Sequence, residues 1–564
     1  MALALVAAAC GGGDDDGEGG GNGNGGDDGG VSVEDLTPQA VLAREAELTP
    51  TPGGEITYAL EAETTGGWCL VEAQLAISGI QVARALYDTL TAPDENGEIQ
   101  PHLAESVTAN DDSTEFTIKL REGITFHDGS ALDATVVKNN LDAYRGAYEG
   151  RAPQLFVLVF GPYIASTEVV DPLTVKVTTN QPWPAFPWYL WGSHRLGIMA
   201  QAQLDSDECN TKMIGTGPFM LDSWTTGEQL VAVKNPDYWR TDEAGNQLPY
   251  LDRITFVPVE SGPDRLTGLR SGEFDVIMTS GALQIVEIRK DVEAGELASV
   301  ESDQFGEVGY AMLNATKPPF DSQTAREAMA YAVDRETYND LRNDGILTNA
   351  QGPFAPGNVG YLEDAGYPEY DPEKAQQLVQ QYKEETGNDL EFTITHSGDP
   401  ETTKTAELVQ QMGEAVGAKI SLKPIADQST LINTALGKDF QAVLWRNHPG
   451  GHPDLQFVWW HCNTEPPEPC DNLVNFGGFN DAEINRLLEE GRAATDPAEQ
   501  KEIYENLNRE FAKKLYNLWA QYTLWTIAHK PNVHGVMGPP LPGGQGPFPG
   551  LGTGHPVTGM WVEQ

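Results

Sequence analysis

Positive charge is scarce in this chain. Its 564 residues carry 35 Lys and Arg against 84 Asp and Glu, a formal net charge of −49. A polyanion repels phosphate backbones, so nucleic acid is not an expected partner. Long hydrophobic runs are also missing. Hydrophobic residues make up 40% of the chain, yet no stretch approaches the ~20 consecutive apolar residues that a membrane-spanning helix needs. Hydrolase and nucleotide-binding signatures are absent as well. GxSxG, HExxH and GxxxxGK[ST] do not occur, so there is no nucleophile elbow, no zincin helix and no Walker loop. An enzyme is not expected, and no cofactor is expected. What remains is a large, acidic, core-forming chain, long enough for two to four domains or sub-domains.

Cysteine is sparse: Cys10, Cys69, Cys209, Cys462 and Cys470. Setting Cys10 aside leaves an even set of four, for which three pairings exist. Cys462 and Cys470 bracket the Pro-rich loop NTEPPEP. A short disulfide there leaves Cys69 and Cys209 for a long-range one. No CxxC spacing is present, which argues against zinc. Disulfides imply an oxidising, exported location.

The first 30 residues read as a tether. MALALVAAA is apolar and small, Cys10 follows, and 11–30 contain only Gly, Asp, Glu and Asn. Such a tract has nothing to bury and extends by charge repulsion. The arrangement resembles a bacterial lipoprotein signal, truncated at its start, with Cys10 as the lipidated residue. Residues 11–54 then form a linker that holds a soluble body near the outer face of a membrane.

From Glu55 the pattern becomes globular. EITYAL, EFTIKL and LTVKVT alternate apolar and polar residues, the period of half-buried strands. Leu132 to Tyr144 reads as a helix with Asp133 placed to cap it. The second half is more helical. YDPEKAQQL and TDPAEQKEI each put an Asp N-cap before a Pro in the first turn. NDAEINRLLEE offers Asn480 and Glu483 at capping-box spacing. Phe392 and Ile394 mark a strand, Ala406 to Val416 an amphipathic helix and Lys419 to Leu422 a second strand. That order predicts a crossover with parallel strands.

Several ordered segments carry a resemblance. They are ALYDTLTAPDENGEIQPHLAESVTANDDSTEFTIKLREGITFHDGSALDATVV (85–137), IGTGPFMLDSWTTGEQLVAVKNPDYW (214–239), RLTGLRSGEFDVI (265–277) and AMLNATKPPFDSQTAREAMAYAVDRETY (311–338). Together they resemble the extracellular solute-binding proteins of ABC importers, in the peptide/nickel-binding family 5. The resemblance spans roughly 55–530. It implies an α/β fold, a two-lobed periplasmic-binding-protein-like clamshell (type II-like) with an extra sub-domain in the first lobe. Lobe I is expected over 55–305 with the sub-domain at 86–199, lobe II over 306–524, and a C-terminal segment, 525–564, returning to lobe I. Hinges are expected near 305–312 and 522–528. The implied partners are a small peptide or similar solute, and ABC permease and ATPase subunits. A monomer is expected.

The resemblance also nominates a site. In peptide-binding relatives a Trp followed by an acidic loop holds the peptide amine. Here VLWRNHPGGHPDLQFVWW (443–460) keeps Trp445 and Pro453-Asp454, but places His448 where the acid is expected, after Arg446 and Asn447. Arg446 favours a carboxylate, phosphate or hydroxyl-rich ligand, because its planar fork pairs such groups. Trp68, in a loop that faces the cleft in the resembling family, joins the expected ligand residues Trp445, Arg446, Asn447 and His448. Trp183, Trp188 and Trp191 cluster in QPWPAFPWYLWGSH and read more simply as core. His448, His452 and His461 lie close in sequence to Cys462, but no metal site is expected from them. The leading reading is therefore a peptide-binding lipoprotein of an importer. The alternatives are a binder of a sugar, an opine-like acid or a metal chelate, or a tethered sensor.

Overall fold

The computed structural model describes residues 32–563, apart from 64–65, 74, 154–155, 427 and 447–449. Cys10 and most of the linker lie outside the described residues. Three sheets organise the rest.

The first sheet has seven strands. Their order is Ala298–Ser302, Trp525–His529, Val276–Thr279, Glu55–Leu60, Arg253–Pro258, Gln229–Lys234 and Phe219–Thr225. Glu55–Leu60 is central and pairs in parallel with both its neighbours. It is nearly continuously buried, as a central strand covered on both faces must be. Trp525–His529 arrives from the far end of the chain and pairs antiparallel with Val276–Thr279 and Ala298–Ser302.

The second sheet has five strands in the order Lys419–Ile425, Glu391–Ser397, Ala442–Arg446, Val308–Leu313 and Asn517–Tyr522. Glu391–Ser397 and Lys419–Ile425 run parallel, joined by the helix Pro400–Ala415, which is the crossover read from the sequence. Asp371 and Asp496 cap their helices, with Pro in the first turn. The capping box at Asn480 is a correction. Asp481 is the N-cap, its carboxylate accepting from the Glu483 and Ile484 amides, and Asn480 instead holds the Thr464 and Glu468 carbonyls. Asp481 Oδ1 accepts both orphan amides from the cap position, while the Asn480 side chain is spent on the 464–468 loop one residue outside the helix.

The third sheet, four antiparallel strands, is drawn entirely from Ala104–Ala109, Glu115–Leu120, Ile164–Asp171 and Thr174–Thr179. Glu115–Leu120 alternates exposed and buried residues without exception, which identifies a sheet covered on one face. The first two sheets are therefore the cores of two lobes, and the third belongs to a body inserted in the first. The fold is a two-lobed α/β clamshell.

The chain crosses between lobes twice, from Ala298–Ser302 to Val308–Leu313 and from Asn517–Tyr522 to Trp525–His529. The crossings touch, because the Thr523 amide donates to the Glu307 carbonyl at 2.8 Å. Phe305, at the first crossing, holds φ +53°, a conformation that costs a non-glycine residue of order 1 kcal/mol. Its buried ring lies 4.6 Å from Phe548 and belongs to one cluster with Trp188 and Trp191. The glycines of GTGPF serve close approach. A Cβ at Gly215 would stand 2.0 Å from the Leu86 carbonyl oxygen, and one at Gly217 would stand 2.4 Å from its carbonyl carbon.

Candidate solute-binding cleft

Two sets of side chains meet between the lobes. The first lies beside the crossings. Arg446 ends the strand Ala442–Arg446, next to the first crossing strand, where Gly309 is its register partner. Its Nε is 3.0 Å from a carboxylate oxygen of Glu307, and its Nη1 donates to Ser280 Oγ of the first lobe at 3.0 Å. The guanidinium also lies over the Trp525 ring, 5.4 Å from its centroid. Ser280 closes the link to a third strand end. Its amide donates to Glu61 Oε1 at 3.0 Å, and Arg265 Nη2 lies 3.1 Å from the same oxygen.

Glu307 is buried, and burial pushes its carboxyl up to about 7. Arg446 opposes that rise, Glu61 adds to it, and Arg195 opposes it from farther away. Trp525 Nε1 faces the same carboxylate without a hydrogen bond of good geometry. Desolvation thus outweighs one half-exposed Arg.

The second set joins the inserted body to the second lobe. Asp454 and Arg492 are fully buried and ion-paired at 2.8 Å. Trp183 Nε1 donates to the other Asp454 oxygen at 2.8 Å, and the Tyr189 hydroxyl donates to the Asp454 carbonyl. Arg492 lies over the Phe457, Tyr163 and Trp183 rings at 3.5, 4.6 and 5.0 Å. Gly451 is required here, since a Cβ would fall 2.1 Å from the Trp188 ring.

The nominated residues separate in space. Trp445 is half-buried and meets Phe476 edge-on at 5.6 Å. Arg446 is engaged as above. Asn447 and His448 lie outside the described residues. Trp68 is buried within the first lobe, edge-on to Trp224, and lines a small cavity with Glu63, Ser78 and Phe256. Next to it Cys69 is bonded to Cys209, and Cys462 to Cys470. His452 accepts from the Asp454 amide, while His461 pairs with Glu489 at 2.8 Å and stacks on Phe457. Among the described residues no group of three His, Cys, Asp or Glu is arranged to hold a metal. Glu61, Ser280, Glu307 and Arg195 escaped the sequence reading. Glu307 carried the one available signal, an acid at an expected hinge. The others follow no motif.

Residues 98–467 match the family described as bacterial extracellular solute-binding proteins, family 5. The glutathione-binding protein GsiB of Escherichia coli O1:K1 / APEC is 28% identical over 442 residues, 75% of this chain and 80% of its own. The binding protein AgaA of A. tumefacien R10, solved with agropinic acid, superposes with a TM-score of 0.76 at 26% identity, over 91% of this chain and 99% of that one. The oligopeptide-binding protein AppA of Bacillus subtilis, solved with a nonapeptide, shares the fold with a TM-score of 0.75 at 20% identity, over 92% and 100%. With two lobes, two adjacent crossings and a charged floor between them, this chain belongs to the bacterial extracellular solute-binding proteins of family 5.

Proposed function

We propose that the protein captures a peptide-like solute between its lobes and delivers it to an ABC permease powered by a separate ATPase subunit. The observation that carries this reading is the Arg446–Ser280 bridge. A second-lobe side chain, fixed by Glu307, reaches a first-lobe hydroxyl beside the crossings. A solute that prefers this closed arrangement shifts the lobes toward it, and only by that preference. No chemical step is part of the mechanism. The glutathione and nonapeptide ligands of similar proteins support a peptide-like solute. Trp445, Arg446, Asn447, His448 and Trp68 are its proposed contacts. Cys10 is the proposed lipid attachment point, and the acidic Gly/Asp linker the spacer that sets the cleft's distance from the membrane.

A second reading, a small opine-like acid, is favoured by the agropinic acid bound to AgaA and by His448 in the place of an acid. Native mass spectrometry of the purified protein, before and after mild denaturation, separates the two. A heterogeneous set of short-peptide masses supports the peptide reading. A single non-peptide mass replaces it with the second.

A further inference from the structure

One buried arginine near the crossings has no ion-pair partner among the described residues. Arg265 is paired with Glu61 at 3.1 Å and Arg446 with Glu307 at 3.0 Å. Arg195 is left over. It follows the short turn Gly192–His194 of the inserted body and is 7% exposed. Its Nε donates to the Leu75 carbonyl at 3.0 Å. Its Nη2 is buried with no hydrogen-bond partner, and no acid stands within ion-pair distance among the described residues. Glu307 is the charged group whose field reaches it.

Two other buried arginines are satisfied in different ways. Arg326 is 5% exposed and also lacks an acid, but its three nitrogens donate to Lys514 O at 2.9 Å, Phe320 O at 2.7 Å and Gln323 Oε1 at 2.5 Å. Arg492 keeps one nitrogen unbonded, but Asp454 cancels its charge and three rings cover it. A buried guanidinium with neither counter-ion nor a full set of acceptors loses its hydration without replacement. Burial accordingly draws Arg195 down to about 10.

We infer that Arg195 is the receptor for a carboxylate of the bound solute, so that the ligand supplies the anion the cleft lacks. The inference rests on the solute-binding reading above and narrows it to carboxylate-bearing solutes. A carboxylate matches both the positive charge and the planar fork of the guanidinium. Arg446, the arginine nominated by its sequence position, is engaged by Glu307 and Ser280 and acts as the bridge between lobes.

The test compares each acid with its own amide. The probes are tri- to pentapeptides without acidic side chains, each as the free acid and as the C-terminal amide, with uncharged sugars as a second set. Melting shifts are read on the full folded chain, wild type, Arg195→Gln and Arg195→Lys. Free acids should stabilise the wild type, and their amides should bind at least about tenfold more weakly, the ~1.4 kcal/mol worth of a charge-assisted contact. Arg195→Gln should lose the preference for acid over amide, and Arg195→Lys should keep part of it. The acid–amide comparison on the wild type needs no variant and stands even if Arg195→Gln misfolds. Amides binding as well as acids, Arg195→Gln binding acids as the wild type does, or sugars binding while acids do not would each overturn the inference and leave the solute-binding reading intact. If no probe binds, small molecules released by denaturing the purified protein are weighed. A carboxylic acid supports the inference, a species without one overturns it, and a protein that neither carries nor binds any small molecule overturns the solute-binding reading as well.

Discussion

The two polar clusters between the lobes use the same residue types and end in opposite states. Around Asp454 and Arg492, every charge has its partner within the protein, and aromatic rings close over the pair. At the crossings, Glu307 is buried beyond what Arg446 compensates, and among the described residues Arg195 has no acid within ion-pair distance. The first cluster is a finished joint. The second is an unfinished one, as a surface must be if another molecule completes it. Buried polar groups left without partners are costly, and a molecule that supplies the missing partner removes that cost.

The sharpest way to break that contrast is Asp454→Asn. It strands a fully buried guanidinium and should cost about 3–5 kcal/mol, read from the denaturant midpoint. Glu307→Gln should cost far less, because it removes a charge that burial already disfavours. Equal losses from the two changes would erase the distinction.

The second prediction concerns pH. A carboxyl raised to about 7 from 4.5 binds its proton more tightly in the folded state. Its contribution to stability is fully present below pH 4.5 and is lost as pH rises through 7. Wild type should therefore lose stability relative to Glu307→Gln between pH 4.5 and 7, by up to ~3 kcal/mol for a shift of this size. Paired unfolding curves at pH 5 and 7.5 measure it, and a difference that does not change with pH would mean that Arg446 compensates Glu307 after all. The smallest effect is expected from Trp183→Phe. It removes the hydrogen bond to Asp454 and part of a fully buried ring, a loss of about 2 kcal/mol in the same unfolding assay.

How much of this was legible in the sequence depends on range. Local signals carried well. The alternation in EFTIKL, the Asp-Pro helix starts at Asp371 and Asp496, and the parallel crossover between Phe392 and Leu422 all follow from nearest-neighbour chemistry. Ordered motifs carried the family. The site did not follow. Asp454 was visible as part of an acidic loop, but its partner Arg492 lies 38 residues on and Trp183 lies 271 residues back. Arg446 reads in sequence as a ligand contact; Glu307, which engages it, is brought there by strand pairing across the second sheet. Arg195 has no local mark of any kind. Its significance is a missing partner, which only a packed interior reveals.

The strand Trp525–His529 has a consequence for biogenesis. It sits between Val276–Thr279 and Ala298–Ser302, so the first sheet keeps an open slot until the chain has been made as far as His529. Pairing across some 230–250 residues of intervening chain is slow to form. A chain caught partway through synthesis or transit therefore cannot finish its first lobe, and it exposes two strand edges at the vacancy. A chain that stays incompletely folded until its last segment emerges is one that a narrow export channel can still thread.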